Sequence, residues 1–93
     1  MTRRLRRLWQ RAQKQPKGWS AVEVDELARL LGFSEQKGRG KGDHRLYFHP
    51  KGLVWGFDPR GDVKAPYVRE LVRLAQQHRL VENHETEQKD GND

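Results

Sequence analysis

Lys37 to Pro50 reads KGRGKGDHRLYFHP and concentrates the residue types of this chain that could do chemistry. An imidazole titrates near pH ~6.5, so a histidine can take up or release a proton at neutral pH. Glycine lets backbone N–H groups come close to a phosphate, and cationic side chains neutralise its charge. Here Lys37, Arg39, Lys41 and Arg45 supply the cations, Gly42 the close approach and His44 the proton carrier. The chemistry that fits is proton transfer beside a bound phosphate.

A cationic glycine loop delivers His44 to the start of a strand. From His44 to His49 the chain alternates, with Leu46 and Phe48 on one face and Arg45, Tyr47 and His49 on the other. His49 is a poor acid–base partner for His44, because a strand would hold the two roughly 16 Å apart at ~3.3 Å per residue. His49 before Pro50 reads as a turn-packing residue. Asp43, His44 and Asp58 form no recognised ligand spacing, so neither a metal nor another cofactor is expected.

The 93 residues suit one small domain. Hydrophobic residues make up 33% and charged residues 34%, so the core must be modest. The chain has no cysteine, which rules out disulfide staples and thiolate metal sites and points to the cytoplasm. No apolar run approaches the ~20 residues of a membrane span, and no secretory h-region follows the basic start. The net charge of +6 is unevenly spread: residues 1–18 carry seven Lys or Arg and no acid, and residues 82–93 carry five acids and one base. Such a basic domain suits a polyanionic partner.

Three segments follow: a basic N-terminal helix over 1–18, a domain over 19–81, and an acidic, aperiodic and disordered tail over 82–93. In the first, Leu5, Leu8, Trp9 and Ala12 form a narrow apolar stripe, Thr2 can cap, and Pro16 and Gly18 end the helix. Its arginine face could be solvated surface behind a docked helix, a grip on nucleic acid, or a membrane-surface contact; docking is the simplest reading. Ser20 with Glu23 predicts a capping box for a helix to Leu31, with Trp19 stapled on Val24 and Gly32 ending it. Strands are expected over Phe33–Arg39, His44–His49 and Leu53–Phe57, with Gly56 marking a bulge or a close approach. DPRGD, from Asp58, is a turn. Pro66 suits the first position of a last helix reaching Arg79. Without the first helix the order is αβββα, an α+β fold with a three-stranded antiparallel sheet and helices on one face.

Lys41-Gly42-Asp43-His44, followed by His49-Pro50, resembles the K/R-G-S-H motif and His-Pro strand end of the HicA family, the toxins of HicA–HicB toxin–antitoxin pairs. Val63-Lys64-Ala65-Pro66-Tyr67-Val68-Arg69 is similar to the Lys-Ala-Lys-Pro-Tyr-Gln-Val-Arg run of its longer members. The likeness extends from Leu5 to Leu80. It implies a double-stranded-RNA-binding-domain-like (dsRBD-like) fold, metal-independent cleavage of mRNA with His44 catalytic, and a HicB-like antitoxin as partner. Asp43 departs from the family's Ser or Thr: a hydroxyl can donate to phosphate, whereas an ionised carboxylate cannot. The alternatives are a non-catalytic RNA-binding module on the same fold and a binding protein for another partner.

Overall fold

Two of the three helices among the described residues begin where a side chain caps them. The computed structural model of the chain describes residues 2–38 and 44–81. Its elements are α1 Arg3–Lys14, α2 Ala21–Leu30, β1 Ser34–Glu35, β2 Arg45–His49, β3 Leu53–Phe57 and α3 Ala65–Gln77. Thr2 caps α1 by accepting from the Leu5 N–H at 3.1 Å. Ser20 and Glu23 form the expected capping box on α2, each side chain serving the other's backbone N–H. Gly32, with φ +104°, ends α2: its N–H donates to Arg29 O, and the Phe33 N–H reaches back to Ala28 O.

The strands form one antiparallel sheet in the order β1-β2-β3. Tyr47 pairs with Trp55 and Arg45 with Phe57, so these side chains share a face. That face is the core, where Tyr47, Trp55 and Phe57 are buried under the helices. Leu46, Phe48 and Val54 lie on the other face, and Val54 is 54% exposed. Thus the polar-looking side of the β2 alternation points inward. The Tyr47 hydroxyl meets the Asp25 carboxylate of α2 at 2.5 Å, which satisfies its polar end. Burial, and then the Asp25 bond, push the Tyr47 phenol well above its usual range. Gly56 marks a close approach: a Cβ there would lie 2.4 Å from the Arg45 carbonyl oxygen.

β1 is shorter than the predicted Phe33–Arg39 strand. The polar, glycine-containing run after Glu35 has weak strand propensity and turns at Lys37-Gly38. Pro66 occupies the second rather than the first position of α3. That helix stops at Gln77, short of Arg79, because the Leu80 N–H bonds to Ala75 O and Arg79 takes φ +55°. The acidic tail predicted over 82–93 lies outside the described residues.

α1 is docked. Leu8, Trp9 and Ala12 are buried in the common core, with Leu5 packed against it. Trp19 is fully buried: its indole donates to Gln15 O at 2.7 Å, and its backbone bridges Val63. Arg11 lies 4.2 Å over the Trp19 ring and pairs with Glu23 at 2.9 Å. Arg4 makes a two-pronged pair with Glu26 at 2.7 Å. These contacts join α1 to α2 through charge as well as through the apolar stripe.

Candidate active site

His44 stands immediately before β2, with an exposed side chain. Antiparallel pairing of Arg45 with Phe57 brings the start of β2 beside the end of β3 and the Asp58 turn that follows. α3 then returns along the core face and presents Tyr67 from its first turn. The Tyr67 hydroxyl lies 3.1 Å from Nε2 of His44, and the two rings meet edge to face with centroids 6.1 Å apart. Tyr67 is itself anchored: its carbonyl accepts the Trp55 indole N–H at 3.1 Å, and its own N–H donates to Lys64 O at 3.0 Å. A core tryptophan therefore sets the place of a surface hydroxyl.

The DPRGD turn forms the next wall. Asp58 accepts from the Arg60 backbone N–H at 3.0 Å and from its guanidinium at 2.7 Å. The Arg60 side chain holds the Asp58 carboxyl well below the usual carboxylate range, and the His44 charge acts in the same direction. Asp58, Arg60, Asp62 and Lys64 line an open cleft of about 350 Å³. Both signs of charge reach it, so it suits a polar ligand with donors and acceptors. The site therefore joins the start of β2, the turn after β3 and the amino end of α3.

The predicted phosphate-binding residues fare differently. Lys37 is exposed in the turn after β1. Arg39, Lys41 and Gly42, with Asp43, lie outside the described residues. Arg45 is half-buried on the core face, its guanidinium carbon 5.7 Å from the Phe57 ring centre. It also helps lower the Asp25 carboxyl, after Tyr47 and Arg29, against the burial that would raise it. Arg45 thus takes part in packing and in the charge balance of α2.

His49 is built into the fold, as its place before Pro50 predicts. Nε2 lies 3.0 Å from Leu31 O, and Nδ1 accepts the Lys51 N–H at 3.0 Å. Since Nδ1 accepts, Nε2 carries the proton. The ring also meets Phe33 edge to face at 5.0 Å. Tyr67 and the cleft residues Asp58, Arg60, Asp62 and Lys64 are missing from the sequence-based site. Tyr67 reads there as part of the apolar face of α3, although it sits inside the Val63–Arg69 run that carries the family likeness.

Among the described residues, no group of three or more His, Cys, Asp or Glu is placed to hold a metal ion. Nor is any described helix long and apolar enough to cross a membrane. Comparison of the chain with family models, curated proteins and solved structures finds no match.

Proposed function

We propose that this chain is a HicA-like ribonuclease toxin on a dsRBD-like fold, acting on mRNA in the cytoplasm and neutralised by a HicB-like antitoxin that covers His44. The observation that carries the reading is the exposed His44 imidazole, held at Nε2 by Tyr67 beside the Asp58–Lys64 cleft. The glycine and lysine sequence just before it supplies phosphate-binding chemistry.

His44 takes the proton of an RNA 2′-OH. The 2′-oxygen attacks the neighbouring phosphorus, and the bond from phosphorus to the 5′-oxygen breaks. The electron pair leaves with that oxygen, which takes a proton from water. The products are a 2′,3′-cyclic phosphate and a 5′-OH. Lysine and arginine stabilise the charge that builds on the phosphoryl oxygens. The mechanism calls on no metal or cofactor.

Single-stranded RNA incubated with the wild type should give fragments ending in cyclic phosphate, with or without EDTA. His44→Ala should fold and bind RNA but lose cleavage by about 10²-fold or more. Cleavage by His44→Ala at the wild-type rate, or strict metal dependence, overturns the mechanism. RNA binding with no cleavage by the wild type selects the RNA-binding module instead, a reading favoured by the exposed arginines of α1.

A further inference from the structure

We infer that Tyr67 is the positioning residue of His44: it engages Nε2, orients the ring, and leaves Nδ1 as the nitrogen that meets the RNA. The inference rests on the reading of His44 as the proton carrier. It begins from the contact itself, a hydroxyl 3.1 Å from Nε2 with the rings edge to face. His44 is exposed and precedes the first strand residue, so neither burial nor sheet pairing fixes its ring. Tyr67 is half-buried and held at both its carbonyl and its N–H. The rigid partner therefore orients the loose one.

The assignment of nitrogens follows from proton bookkeeping. A neutral imidazole has one N–H and one lone pair. With Nε2 facing Tyr67, the nitrogen left to accept a proton from a 2′-OH is Nδ1. The base form must then carry its hydrogen on Nε2, where the Tyr67 oxygen can accept it. Neutral histidine side chains already favour this tautomer in water; the Tyr67 hydroxyl can accept from Nε2–H or donate to a bare Nε2, and as acceptor it adds to the preference. When Nδ1 takes the 2′-OH proton, the ring becomes an imidazolium and the Nε2–H bond to Tyr67 becomes charge-assisted. Tyr67 therefore helps the transition state more than the ground state. Removing its hydroxyl should lower kcat and leave KM nearly unchanged.

Two measurements test this on the full chain. The first needs no RNA: imidazole ¹⁵N shifts of ¹⁵N-histidine-labelled protein, assigned to His44 by its loss in His44→Ala. Wild type should show Nε2 protonated and Nδ1 bare at high pH, and Tyr67→Phe should move toward a mixture of tautomers. The second is cleavage of an RNA oligonucleotide. Tyr67→Phe keeps the ring and its packing, and should lower kcat by roughly 3- to 10-fold, the scale of one hydrogen bond. Adding Tyr67→Phe to His44→Ala should cost nothing further. Identical shifts in wild type and Tyr67→Phe overturn the inference, as does a wild-type ring protonated on Nδ1. If the tautomer shift is seen but wild type cleaves no RNA, the positioning role stands and the ribonuclease reading falls.

Discussion

The arginines of α1 divide into two groups whose roles can be separated by measurement. Arg4 and Arg11 face α2, paired with Glu26 and Glu23, and Arg11 stacks on Trp19. Arg3, Arg6 and Arg7 are exposed and have no ion-pair partner among the described residues. On single-stranded RNA each phosphate contact contributes roughly −0.7 to the slope of log K against log salt. Changing Arg3, Arg6 and Arg7 together to Gln should therefore flatten the slope by up to about 2 units. Stability should hold within about 0.5 kcal/mol, as for surface changes that touch nothing. Arg11→Gln should do the reverse. It loses a cation–π contact worth about 0.5–1 kcal/mol, which lowers Tm by about 2–8 °C, and leaves the salt slope alone. The assay is fluorescence anisotropy of a labelled single-stranded RNA across a salt titration, in a His44→Ala background so that the probe stays intact. Thermal unfolding is followed alongside. A wild-type slope in the Arg3, Arg6 and Arg7 variant, at unchanged Tm, would refute phosphate contact by this face.

Two helix ends make opposite predictions in thermal or urea unfolding. Gly32→Ala should destabilise by about 1–3 kcal/mol, because φ is +104° and the new Cβ would sit 2.7 Å from His49 Nε2. The loss should shrink when His49→Ala is added. Arg79 holds the equivalent left-handed position after α3 at φ +55°, so Arg79→Gly should stabilise by about 0.5–1 kcal/mol. Acid should act through Asp25 and Glu23. Burial raises Asp25, but Tyr47 and Arg29 outweigh it, while the Ser20 backbone N–H and Arg11 lower Glu23. Folded values below the unfolded ones mean that this stability is present above about pH 4 and is lost as pH falls through the folded values. The urea midpoint should therefore drop on acidification and drop less in Tyr47→Phe; a flat midpoint through the carboxylate range would count against the Asp25–Tyr47 bond.

Local signals carried much of the architecture. Capping at Thr2 and Ser20, the glycine after Leu31 and the stripe of α1 each depend on residues within a turn or two, and their sequence spacing reports them. The alternation from Arg45 to His49 marked a strand for the same reason, and His49-Pro50 marked its end. Which face of that strand turns inward is not a local property. Leu46 and Phe48 are the more apolar pair, yet Tyr47 is buried, because Asp25 on a distant helix satisfies its hydroxyl and Trp55 and Phe57 share its face. The division among the arginines is likewise tertiary: seven cations in residues 1–18 look alike until α2 places Glu23 and Glu26 opposite two of them. His44 stood out by residue type and by its glycine and lysine neighbours. Its contact with Tyr67 spans 23 positions in sequence, so only the return of α3 across the sheet could bring the hydroxyl to the ring.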